Sequence, residues 1–112
     1  MPGAGIVKVE LTRTLAADGS AQSPSTTFDH IKDRKIIAVL TLAGLGPGTN
    51  VSFERYLNGN RADSKSATLT RKEKFFYFNF IARAGTTLAV GQYRLRFSVA
   101  NRAVQEATYV VQ

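Results

Sequence analysis

One histidine, no cysteine and eight carboxylates bound the chemistry open to this chain of 112 residues. Without cysteine there is no thiol nucleophile, disulfide or thiolate metal site, and the redox compartment is left undetermined. His30 is the one imidazole, so a Ser-His-Asp arrangement has a single possible base and a multi-histidine metal site is ruled out. Asp29-His30 and Asp33 offer two carboxylates and an imidazole to a weakly held metal. A solvated corner, with Asp33 capping backbone amides, is the simpler use of the same residues. No paired carboxylates or activated nucleophile can be placed in a cleft. The chain therefore reads as non-enzymatic, with no catalytic residue, metal site or cofactor.

Two groups of residues suit binding instead. Gly91 to Val99 alternates strictly, with Tyr93, Leu95, Phe97 and Val99 on one face and Arg94, Arg96 and Ser98 on the other. If Val51, Phe53 and Leu57 point inward, Glu54 and Tyr56 point outward beside those arginines. Tyr56, Arg94 and Arg96 then form a flat patch suited to an anion, a sugar or a protein surface. A cross-strand Glu–Arg pair beside a tyrosine, contributing at most about 1 kcal/mol, accounts for the same residues without a ligand.

The second group runs from Arg71-Lys72-Glu73-Lys74 into Phe75-Phe76-Tyr77-Phe78-Asn79-Phe80. Cations for phosphate and aromatic faces for bases are what single-strand nucleic-acid binders combine. Alternation assigns Phe76, Phe78 and Phe80 to the core, leaving Phe75 and Tyr77 as the remaining stacking platform. Gly44 to Thr49 is glycine-rich but lacks the Lys-Ser/Thr of a phosphate loop and precedes a strand, so it reads as a turn. Asn50-Val51-Ser52 fits the glycosylation sequon, a triplet that often arises by chance.

The net charge of +7 is unevenly placed. Residues 1–56 hold six Lys/Arg against five Asp/Glu, and residues 57–112 hold nine against three. A basic half suits nucleic acid, an anionic membrane or acidic glycans, and it equally suits a strand face kept soluble by Lys and Arg.

The elements that must position these residues are short strands. Ile6–Leu15, Ile36–Leu42, Val51–Leu57, Phe75–Ala82, Gly91–Val99 and Val104–Val111 carry strand patterns, with a short edge strand at Ala67–Thr70. Asp18-Gly19-Ser20, Asn58-Gly59-Asn60 and Asn101-Arg102 carry turn chemistry. Ala21–Thr27 reads as an irregular connection from which Phe28 plugs the core; the long connection between Ala16 and Asp29 is either a loop or an added edge strand, with a split first strand that switches sheets the favoured form. Turn signals roughly every ten residues predict an all-β antiparallel sandwich of seven to eight strands in two sheets. The length suits a single domain over 1–112, with residues 1–5 disordered. No apolar run approaches the roughly 20 residues of a membrane helix. Met1–Gly5 lacks the basic and apolar regions of a signal peptide, which is compatible with a cytosolic protein or with a domain excised from a longer one.

Residues 24–111 resemble bacterial immunoglobulin-like β-sandwich domains, through Thr27-Phe28, Ile36-Ile37-Ala38-Val39, Gly46-Pro47-Gly48-Thr49-Asn50-Val51 and Arg55-Tyr56-Leu57-Asn58-Gly59. Leu88 to Leu95, with its Gly91-Gln92-Tyr93, and Ala107-Thr108-Tyr109-Val110-Val111 extend the resemblance. The chain departs from it at Arg55, where such domains often carry an aromatic. The resemblance implies an exported or surface-anchored setting outside the cytoplasm. It implies a non-catalytic interaction or spacer module, which would meet a protein or glycan through an exposed strand face or edge; unpaired strand edges also allow weak self-association. A basic polyanion- or nucleic-acid-binding domain is the alternative.

Overall fold

The computed structural model describes residues 5–112, with Ala103 described by its backbone alone. The disorder expected over 1–5 falls, for residues 1–4, outside the described residues, and Gly5 opens the first strand. Ten strands follow: β1 (Gly5–Thr12), β2 (Thr14–Leu15), β3 (Ala21–Gln22), β4 (Thr27–Phe28), β5 (Lys35–Ala43), β6 (Asn50–Leu57), β7 (Asn60–Thr68), β8 (Phe75–Ile81), β9 (Gly91–Val99) and β10 (Arg102–Val111). One sheet has the order β1-β5-β8 and the other β4-β10-β9-β6-β7, while β2 and β3 form a separate hairpin. All pairings are antiparallel except β4 with β10, which is parallel.

The expected sandwich is therefore present, and its first strand is split as anticipated. β1 belongs to one sheet and β4 to the edge of the other. Two differences from the expected elements have physical reasons. The edge strand anticipated at 67–70 spans Asn60–Thr68. Nearly all of it is exposed, so it has no apolar face to give it a period. The stretch after Thr12 is a hairpin, because the chain bends at Arg13 and Thr14–Leu15 pairs with Ala21–Gln22.

That hairpin answers a demand made by β5. Ile36, Ala38, Leu40 and Leu42 point into the main core, yet Ile37 and Val39, on the opposite side, are just as buried. An uninterrupted apolar run marks a strand covered on both faces. The β2–β3 hairpin lies over this outer face, where the Tyr77 hydroxyl donates to the Gly19 carbonyl oxygen at 2.6 Å.

Between the sheets, the Phe53 ring makes edge contacts with Phe78 at 4.8 Å and Phe80 at 5.1 Å, and lies 6.4 Å from Phe97. Aromatic edge contacts of this kind add to the burial of the rings themselves. The turn entering β9 is fixed by Tyr93, whose hydroxyl donates to the Ala89 carbonyl oxygen at 2.6 Å. This is the tyrosine corner of immunoglobulin-like sandwiches. Gly91 is required beside it: at φ 153° a Cβ would stand 2.5 Å from the Leu57 side chain.

Candidate functional site

Because Tyr93, Leu95 and Phe97 are buried, β9 presents Gln92, Arg94, Arg96 and Ser98 on the outer face of the five-stranded sheet. Register with its neighbours then sets two rows. In the first, Thr108, Arg94, Tyr56 and Arg61 follow one another across β10, β9, β6 and β7. In the second the order is Glu106, Arg96, Glu54 and Ser64. A bulge in the β6–β7 ladder between Arg55 and Tyr56 brings Arg61 opposite the tyrosine.

The two rows differ in electrostatics. Arg96 stands between the register partners Glu54 and Glu106, and the Glu54 carboxylate also lies 3.8 Å from Arg61. With two carboxylates to one arginine this row has a net charge of −1, so Arg96 faces opposite charge on both neighbouring strands. Arg94 has no carboxylate in its row. Its guanidinium sits over the Tyr56 ring, 4.7 Å from the centroid, and no hydrogen bond or ion pair to another described residue consumes its donors. An open groove of about 760 Å³ begins here and runs towards β4, with Asn58, Gln92, Thr108 and Thr27 along its polar wall.

The sequence-predicted residues are thus divided. Tyr56, Arg94 and Arg96 share one face, with Tyr56 and Arg94 in direct contact and Arg96 outside the groove lining. Phe75 and Tyr77 lie on the other sheet, half-buried beneath the β2–β3 turn. The Lys74 ammonium is 5.3 Å from the Phe75 ring centroid. Phe78 and Phe80 enter the core and Phe76 packs against it, the placement that alternation assigns them.

Arg55 points inward. Its guanidinium lies 4.8 Å from the Phe80 centroid and 5.6 Å from that of Tyr93, so it covers that end of the core. Asp63 receives it in a fork, Nε at 2.7 Å and Nη2 at 3.1 Å. Burial opposes the charge of Arg55 most strongly, but the Asp63 carboxylate and the Tyr109 hydroxyl together outweigh it and hold the guanidinium pKa above its usual value. Beneath it the Tyr93 and Tyr109 rings stack, with centroids 4.6 Å apart and planes 4° from parallel. Burial pushes the Tyr109 hydroxyl up to about 12.

At the His30 corner both carboxylates serve the backbone. Asp29 accepts from the amides of Ile31 and Lys32 at 2.8 and 2.9 Å. Asp33 accepts from the Asp29 amide at 2.8 Å and from Arg13 Nε at 2.7 Å. His30 Nδ1 is 2.9 Å from the carbonyl oxygen of Gln112. The Arg13 contact holds the Asp33 carboxyl below its usual range, and the two backbone amides do the same for Asp29.

Arg61, Gln92, Asn58 and Thr108 were not singled out from the sequence. Gln92 and Thr108 share the outward parity of Arg94 on strands that were recognised, so the same alternation reaches them once the register is known. Arg61 sits on the polar strand that carries no apolar signal.

No protein-family model matches the chain, and no curated protein matches its sequence. Among solved structures it is similar to an immunoglobulin-like protein from Pseudomonas aeruginosa, with a TM-score of 0.62 and 14% identity over 100% of both chains. A likeness at that identity is one of fold, and the fold is immunoglobulin-like.

Proposed function

We propose that this chain is a non-catalytic binding module that receives a protein or glycan partner on the outer face of its five-stranded sheet. The observation that carries this reading is the Arg94–Tyr56 stack, in a row without a carboxylate and at the mouth of the groove. Stacking on the ring holds the guanidinium in one place, so little side-chain freedom remains to be lost on binding. Tyrosine and arginine are also the residue types that most often dominate interface energetics. Amide and hydroxyl side chains beside them supply the neutral hydrogen bonds that a sugar or a peptide backbone takes. The resemblance to surface-anchored bacterial domains supports a setting outside the cytoplasm. No helix among the described residues is long and apolar enough to cross a membrane.

The test compares wild type with the Tyr56→Ala, Arg94→Ala double variant in pull-downs from envelope and cytosol fractions and on a glycan array. A single partner retained at high salt by wild type and lost by the variant supports the reading. Unchanged capture by the variant removes this face from consideration.

A second reading, polyanion binding, is favoured by Arg61 and Arg94, both from the basic half of the chain, flanking Tyr56. It predicts nucleic-acid capture that falls steeply as salt rises. Salt-independent binding eliminates it.

A further inference from the structure

We infer that the free edge of β8 is a docking site for an extended peptide strand flanked by acidic residues. Among the described residues β8 ends its sheet and pairs with β5 alone. In such an antiparallel edge strand, alternate residues turn an amide and a carbonyl away from the ladder.

The other sheet edges each carry a protective device. β7 is exposed along nearly its whole length, bears Arg61, Asp63 and Lys65, and is bulged. β4 has two residues, and its Thr27 carbonyl accepts from Arg13 Nη2 at 3.1 Å. β1 is bulged between Ile6 and Lys8, and the Gln105 amide reaches its Ile6 and Val7 carbonyls at 3.3 Å. Charges, bulges and shortness are how sheets keep their edges from pairing. β8 has none of them. Its seven residues, Phe75-Phe76-Tyr77-Phe78-Asn79-Phe80-Ile81, contain no charge and no proline, and its register with β5 is unbroken. Ile81 is 65% exposed. A cleft of about 410 Å³ at the flank of the sandwich opens beside the C-terminal end of β8, bordered by Asn79, Ile81 and Arg83 on one side and Asp63 and Lys65 on the other.

Charge selects the occupant. Arg71, Lys72 and Lys74 precede β8, with Glu73 as the single carboxylate among them, 3.5 Å from Arg71. At the other end stand Arg83 and, on the neighbouring chain segment, Arg34 and Lys35; Arg34 Nη2 donates to the Arg83 carbonyl at 3.1 Å. A second copy paired antiparallel would set its Arg83 against this Arg71–Lys74 cluster, and paired in parallel it would set like cluster against like. Self-pairing is therefore opposed at both ends, whereas acidic flanks meet a base at each.

The probe is a capped synthetic peptide, Glu-Glu-Val-Thr-Val-Thr-Val-Thr-Val-Glu-Glu, added to the full chain while amide hydrogen exchange is followed. Exchange should slow at alternate β8 amides. A peptide with lysines in place of its glutamates should bind about tenfold more weakly, as expected for several exposed ion pairs. N-methylation of alternate probe amides should abolish binding without any change to the protein. No slowing at β8 with millimolar probe, slowing at β7 instead, or equal binding of the lysine peptide would overturn the inference. So would a concentration-dependent dimer that protects β8 without probe. The face holding Tyr56 and Arg94 is on the other sheet, so the two proposals fail separately.

Discussion

The hydroxyl of Tyr77 donates a 2.6 Å hydrogen bond to the carbonyl oxygen of Gly19, joining the tip of the β2–β3 hairpin to β8. This bond fastens the cover over Ile37 and Val39. It also explains the residue at the tip: Gly19 has φ 91°, and a Cβ there would stand 2.7 Å from the Tyr77 hydroxyl oxygen.

Gly19→Ala is expected to destabilise the fold by about 1–2 kcal/mol, through backbone strain and the clash with Tyr77. Tyr77→Phe should cost about 1 kcal/mol for the lost hydrogen bond. Because removal of the hydroxyl also removes the clash, the double variant should lose less than the sum. Urea denaturation of the four proteins checks this, and strict additivity would break the proposed contact.

Arg55→Lys should cost about 1–2 kcal/mol despite keeping the charge. An ammonium cannot stack over Phe80 and Tyr93 while presenting a fork to Asp63. An unchanged thermal midpoint would show that the guanidinium stack contributes nothing to stability.

The β9–β10 turn holds Ala100 at φ 50° and Asn101 at φ 68°, the left-handed pair of a type I′ hairpin. Alanine is poorly suited to that region. Ala100→Asn and Asn101→Gly should each raise stability by about 0.5–1 kcal/mol, against the usual direction of substitutions. The Asn58-Gly59 turn, at φ 50° and 87°, already has the favoured pair and gives the internal comparison. Calorimetry on the single variants decides it.

Acid should destabilise the protein partly through Asp33. Its folded pKa lies below the unfolded value because Arg13 binds the carboxylate, so its contribution is complete above the unfolded value of about 4. That contribution is lost as pH falls through the lower, folded pKa. Asp33→Asn should therefore reduce stability at neutral pH and flatten the decline below pH of about 4. Denaturant midpoints measured from neutral to acid pH test both; parallel curves for wild type and variant would contradict the assignment.

Much of the fold was legible because burial leaves a periodic trace. The alternation of Gly91–Val99 located β9 and both its faces, and Asn58-Gly59 located a tight turn by its tolerance of positive φ. The run Ile36–Leu42 located β5 as a strand, but the structure alone showed that it is covered on both faces and what provides the outer cover. The hairpin that provides it has two short strands of mixed polarity. β7 was recognised only at its C-terminal end for a related reason: an exposed edge strand has no core to impose a period on its residues.

The candidate face was legible in parity and illegible in partnership. Local alternation determined that Tyr56, Arg94 and Arg96 point outward, since a residue's side of a strand follows from its neighbours in sequence. The tertiary structure decided that β9 lies between β6 and β10 in a register that stacks Arg94 on Tyr56 and flanks Arg96 with glutamates. It likewise decided that the inward-pointing Arg55 meets Phe80, Tyr93 and Asp63. Periodicity within a segment reports its own burial, whereas adjacency and register between distant strands are set by how the two sheets pack together.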